Sequence, residues 1–158
     1  MEAIITAATI LASYLNMASQ NNSEFTYNAR TNNGRVESVE VYKNENTYLS
    51  QTLQYRFLYD SADRLVSKEA LKWNFTKRAW EPSRRYTYTY GTGSYTMQMS
   101  QWDAEKGEYA PACEQSTYRM VADKVTAVDT FRKNSESGEF ELADNMLVMQ
   151  PIQDTLLA

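Results

Sequence analysis

Tyr86-Thr87-Tyr88-Thr89-Tyr90, then Gly91-Thr92-Gly93, then Ser94-Tyr95-Thr96-Met97-Gln98-Met99-Ser100-Gln101-Trp102 is the stretch from which the fold can be read. In an extended chain successive side chains point to opposite faces, so the three rings share one face and Thr87 and Thr89 the other. Tyr95, Met97 and Met99 repeat the alternation after the glycine turn, which makes the stretch a β-hairpin. A polar loop follows, closed by Tyr109 and Pro111.

The same order is written upstream as Tyr55, Phe57, Tyr59, the turn Ser61-Ala62-Asp63, a strand from Arg64 to Trp73, and a loop up to Trp80 and Pro82. Further out, Phe25 to Tyr27, the turn Thr31-Asn32-Asn33-Gly34, the strand Arg35 to Tyr42 and the loop Lys43 to Thr47 closed by Tyr48 make another copy. Downstream come Tyr118 to Val121, the turn Ala122-Asp123, the strand Lys124 to Phe131 and the loop Arg132 to Glu139 closed by Phe140. The loop-opening aromatics Tyr42, Trp73, Trp102 and Phe131 are separated by 31, 29 and 29 residues. A period of this kind marks a repeat whose units must stack to bury their aromatic face.

The expected fold is therefore all-β: an antiparallel meander of about four hairpin repeats, roughly eight to ten strands, with a short helical leader. A meander this long is expected to curl into a barrel-like or sandwich shape to hide its apolar face. Pro82 and Pro111 belong at a strand start or bulge, because proline cannot donate to a ladder. Met146, Leu147, Val148 and Met149 suggest a last strand before Pro151, completing a single domain from 19 to 158.

The net charge of −4, with no long run of Lys or Arg, speaks against nucleic acid as a partner. The chain has no His, which removes the commonest general base and most zinc and haem sites; no metal or cofactor is expected. The single Cys113 reads as a small buried hydrophobe, or as a thiol for intermolecular pairing. Residues 3–15 carry no charge but are too short to span a bilayer as a helix. They suit the apolar core of a secretory signal over 1–18, with cleavage near Ala18 and Ser19, and hence a secreted, periplasmic or cell-surface protein. Glu2 stands where a basic residue is usual, and the structural alternative is a helix capping the sheet.

The Tyr-x-Tyr-x-Tyr strands, the Arg64-Leu65 step and the loop from Trp73-Asn74 to Trp80, behind a signal-like start, resemble a family of small secreted proteins of gut Bacteroidetes, a domain family of unknown function. The resemblance implies export and an all-β fold, and brings no catalytic residues.

Trp73, Trp80, Trp102 and Tyr109 are the candidate ligand-binding residues: flat rings at a sheet edge can stack on sugars, with Asn74, Glu81, Asp103 and Glu108 beside them for hydroxyls. The favoured structural role of the same rings is a cross-strand clamp on each hairpin. Asp103, Glu105 and Glu108 lack the ligand order of a Ca²⁺ loop and read as turn residues. The expected function is a non-catalytic binding or structural module at the cell envelope, its partner a glycan or an envelope protein. The alternative is a glycan hydrolase working with carboxylates alone.

Overall fold

The computed structural model describes residues 3–20 and 24–149. Pro151 and part of the polar stretch 19–24 lie outside the described residues. The elements are α1 (Ala7–Ser19), β1 (Phe25–Asn32), β2 (Arg35–Glu45), β3 (Tyr48–Tyr59), β4 (Leu65–Asn74), β5 (Ala79–Gly91), β6 (Ser94–Asp103), β7 (Glu108–Tyr109), β8 (Glu114–Ala122), β9 (Val125–Lys133) and β10 (Phe140–Val148). The fold is the expected antiparallel meander. Strand order is sequence order, with the two-residue β7 off the path and paired to β6. The order starts at β1 and ends at β10, so the barrel-like closure expected from the strand number is not formed and the ladder is open.

Strand ends also depart from expectation. Tyr48 and Trp80, read as loop-closing residues, lie at the first and second positions of the long strands β3 and β5, because the segments read as connections continue the extended chain. Pro82 sits within β5, ahead of the residues from Arg84 onward that pair with β6. Pro111 falls between β7 and β8, outside either strand.

The chain separates into two compact units, the first of them Ile5–Ser83. Here Ala29, Val39, Tyr55 and Ala70 stand opposite one another on β1 to β4 and so share a face. Val36, Val39, Val41, Tyr55, Phe57 and Leu65 are buried. Helix α1 packs in the same unit through Ala7, Ile10 and Ser13, with Ile10 at 0% exposure. Its N-terminus is closed by a capping box, Thr9 N–H donating to Thr6 Oγ1 (3.3 Å) and Thr6 N–H to Thr9 Oγ1 (3.2 Å). The residues before it are tied down as well: Thr6 bridges Arg64, Leu65 N–H donates to the Ile5 carbonyl (2.7 Å) and Ala7 N–H to that of Asp63 (2.9 Å). Tyr14 donates its hydroxyl to the Tyr27 carbonyl at 3.2 Å. This helix provides, within its unit, apolar cover of the kind that sheet closure would have provided.

In the second unit, residues 84–149 together with residues 3–4, the alternation of the opening stretch is realised. Tyr90, Tyr95, Tyr118 and Val128 oppose one another across β5, β6, β8 and β9, as do Tyr88, Met97, Ser116 and Thr130. Tyr88 and Tyr95 are buried. Burial holds the phenols of Tyr88, Tyr95 and Tyr118 above the ordinary tyrosine range. The Tyr88 hydroxyl has no hydrogen-bond partner. Cys113 is half-buried, its Sγ 3.7 Å from the Met99 carbonyl oxygen and 3.9 Å from Met99 Sδ.

Turn chemistry sets the hairpin registers. The β1–β2 turn uses Asn33 (φ 51°) and Gly34 (φ 77°), the left-handed pair that an Asn-Gly dipeptide predicts. Between β3 and β4, Asp60 accepts the Ala62 and Arg64 amides at 2.9 and 3.0 Å while Asp63 takes φ 61°. The Arg64 amide is the main cause holding the Asp60 carboxyl below its usual range.

Candidate binding surface

Three wider hairpins are built by one device. Asn74 accepts the amides of Thr76 and Lys77 (3.0 and 2.9 Å), Asp103 those of Glu105 and Lys106 (3.0 and 3.1 Å), and Asn134 those of Glu136 and Ser137 (2.8 and 3.1 Å). Each turn then leaves through a left-handed residue, Arg78, Gly107 or Gly138. Asn74 and Asp103, expected to face sugar hydroxyls, thus hold turn backbone. Glu81 is engaged by Lys77 at 2.8 Å, and the hydrogen bond from Lys77 keeps its carboxyl below the usual range.

The turns set the four candidate aromatics at hairpin ends. Trp73 and Trp80 meet edge to face with centroids 5.2 Å apart and planes at 70°. Trp102 and Tyr109 are directly paired across β6 and β7 and meet in the same way, at 5.0 Å and 76°. All four are half-buried. The outer repeats make no such pair. Tyr42 stands opposite Gln51 and Tyr48 opposite Glu45, while Phe131 stands opposite Leu142 and Phe140 opposite Lys133. The signal was in the loop length: Trp73 to Trp80 and Trp102 to Tyr109 are seven apart, Tyr42 to Tyr48 six and Phe131 to Phe140 nine.

Each pair belongs to its own unit, and the sheet face it shares differs between the two. In the first unit, Trp73 follows Leu71 and Glu69 on one face of β4. Leu71 is opposite Gln54 and Glu69 opposite Arg56, in a charged network: Gln54 donates to Glu40 (3.2 Å), Arg56 to Gln54 (3.0 Å), and Arg56 approaches Glu69 (3.9 Å). Tyr42 also donates to Glu40, and this bond is the main cause raising its phenol. In the second unit Trp102 follows Ser100 and Gln98, and between its charged groups, among them Arg85 and the Arg119–Asp129 ion pair, the face carries neutral polar side chains. Thr87, Gln98, Gln115 and Phe131 form one row across four strands, and Thr89, Thr96, Thr117 and Asp129 the next. Gln98 Nε2 donates to Gln115 Oε1 at 2.9 Å. Ser100 is opposite Arg85, whose guanidinium lies 4.4 Å from the Tyr109 ring centroid. Sequence reasoning placed Thr87 and Thr89 on this face but not the Gln98–Gln115 ladder, which exists only through the register of β6 with β8.

No group of three or more Cys, Asp or Glu able to hold a metal ion occurs among the described residues. No helix there is long and apolar enough to cross a membrane.

Fold and surface together define a small all-β protein of repeated hairpins bearing paired aromatics. Residues 1–121 match the model of DUF3836, a family of unknown function, and the chain belongs to that family. It is similar to a DUF3836 protein from Bacteroides vulgatus ATCC 8482 (36% identity, TM-score 0.53, covering 55% of this chain and 89% of that one). It is also similar to one from Parabacteroides distasonis ATCC 8503 (27%, TM-score 0.52, covering 54% and 81%). A protein of unknown function from Bacteroides fragilis NCTC 9343 shares the fold more extensively, with TM-score 0.69 over 85% of this chain and 97% of that one at 21% identity. No curated protein matches the chain in sequence.

Proposed function

We propose that this protein is a non-catalytic binding module of the cell envelope, exported by its uncharged N-terminal stretch. The observation that carries the reading is the half-exposed Trp102–Tyr109 pair beside a sheet face of hydrogen-bonding side chains. Rings fixed edge to face keep their exposed surface preorganised, so little side-chain freedom is lost when a ligand settles on them. Several acids are engaged by neighbouring side chains: Asp60 by Arg64, Glu40 by Gln54, Glu81 by Lys77, Asp129 by Arg119 and Glu114 by Arg132. A purely structural role is the second reading, favoured by the mutual contact of the rings in both pairs.

The test is a screen of the purified chain against immobilised glycans and solubilised envelope proteins, with released sugar measured in parallel. Binding without release supports the module; sustained release of reducing sugar overturns it. N-terminal sequencing of periplasmic, surface and cytosolic fractions tests export, and a protein confined to the cytosol overturns that part.

A further inference from the structure

We propose that the glutamine- and threonine-bearing face of residues 84–149 binds an uncharged, extended β-linked glycan laid across strands β5, β6, β8 and β9. This rests on the reading of the protein as a binding module and names its ligand class.

The first argument is spacing. Thr87, Gln98, Gln115 and Phe131 stand side by side on four adjacent strands. Neighbouring strands lie about 4.7–4.9 Å apart, so the row offers a polar or aromatic group at each step over about 14 Å. One pyranose of an extended β-linked chain advances by a closely similar length. Successive sugars therefore meet successive strands, a match that a coiled α-linked chain does not make.

The second argument is the kind of group presented. The bond between Gln98 and Gln115 uses one donor and one acceptor, leaving Gln98 its carbonyl oxygen and Gln115 its amide hydrogens. Alongside, the hydroxyls of Thr96 and Thr117, 3.4 Å apart, can each donate or accept. Sugar hydroxyls likewise do both, so either partner can be satisfied when water leaves. Neutral side chains also cost less to dehydrate than ions, and the acid on this row, Asp129, is paired with Arg119 at 3.7 Å. The corresponding row of the first unit's face, Glu40, Gln54 and Leu71, holds an acid instead, and that contrast selects residues 84–149.

The third argument is the aromatic frame. Phe131 follows the two glutamines on β9, with Leu142 beyond it on β10, and Trp102 with Tyr109 stands further along β6 beyond Ser100 on the same face. Rings at the margins of a hydroxyl-matching array are suited to the C–H faces of pyranoses.

The experiment is isothermal titration of the full chain with cellohexaose and, separately, maltohexaose, repeated for Gln98→Ala, Gln115→Ala and the near-isosteric Gln98→Glu. Circular dichroism and urea midpoints establish that each variant is folded. Cellohexaose is expected to bind at least about tenfold more tightly than maltohexaose, and each glutamine variant to lose about tenfold, the worth of one good hydrogen bond. Equal binding of the two sugars, binding indifferent to all three variants, or no binding of either sugar overturns the proposal. If the wider screen finds another ligand while cellohexaose fails, this inference falls and the binding-module reading stands. Hydrolysis of cellohexaose removes that reading itself.

Discussion

Tyr95 lies face to face with Tyr118 on the neighbouring strand, their ring centroids 4.6 Å apart and their planes within 15°. Tyr95 is 3% exposed and also approaches Tyr88 and Tyr90, so it is the hub of the aromatic face of residues 84–149. Replacing it with Ala is expected to cost about 3–5 kcal/mol, as for other buried rings. Tyr118→Ala should cost less because Tyr118 is half-exposed, and the double variant should reveal a coupling of about 0.5–1.5 kcal/mol. Urea denaturation of the three variants measures all of these. Additive losses would show that the stacking contributes nothing of its own.

The same burial predicts an alkaline limit to stability. A phenol whose folded pKa is raised keeps its proton in the native state after the unfolded chain, at about 10, has begun to lose it. Above that pH the unfolded state binds fewer protons than the native one, so stability falls as pH rises. Tyr59, Tyr88, Tyr95 and Tyr118 all act in this direction, chiefly through desolvation. Below the unfolded value their contribution is fully present. Melting temperatures should thus be flat across neutral pH and drop above about pH 10, with tyrosinate absorbance rising at the unfolding step rather than before it. Tyrosinate appearing in the folded protein near the ordinary value would contradict this.

Trp73→Ala and Trp102→Ala should each lower stability by about 1–3 kcal/mol, combining lost ring burial with the loss of an edge-to-face pair. The half-exposure of both rings keeps the figure below that of Tyr95. Similar losses mean that both pairs brace their hairpins, and an unchanged urea midpoint in both variants would show that neither does.

Ile10→Ala is expected to destabilise the first unit by about 2–5 kcal/mol and Thr6→Ala, which removes the cap, by about 0.5–2 kcal/mol. Comparing the full chain with one starting at Ser19 adds the rest of α1. Identical unfolding curves for the long and short chains would show that α1 contributes nothing to the stability of the strands.

The hairpins were legible because their signals are local. Tyr86, Tyr88 and Tyr90 announce a face by alternation, and Asn33-Gly34 announces a turn by the backbone angles it tolerates. What stayed hidden depends on partners far along the chain. Gln98 is an ordinary strand residue until the β6–β8 register sets Gln115 beside it. Residues 3–15 suit a secretory core first and a capping helix second, and both require an uncharged apolar run. Aromatic identity alone does not make a pair: Tyr42 and Tyr48, six apart, and Phe131 and Phe140, nine apart, stand opposite other residues.

The strand order carries a consequence for how the chain assembles during synthesis. Apart from the short β7, each strand pairs with the one made before it, so little loop entropy separates a newly made strand from its template and growth can proceed hairpin by hairpin. The helix α1, made first, waits for its keystone. The backbone bonds that Asp63 and Leu65 make to Ala7 and Ile5 can form only once the start of β4 has been made, three strands after α1. Before then the helix has only β1 and β2 to pack on, as through the Tyr14 bond to Tyr27, so its anchoring is completed in two stages.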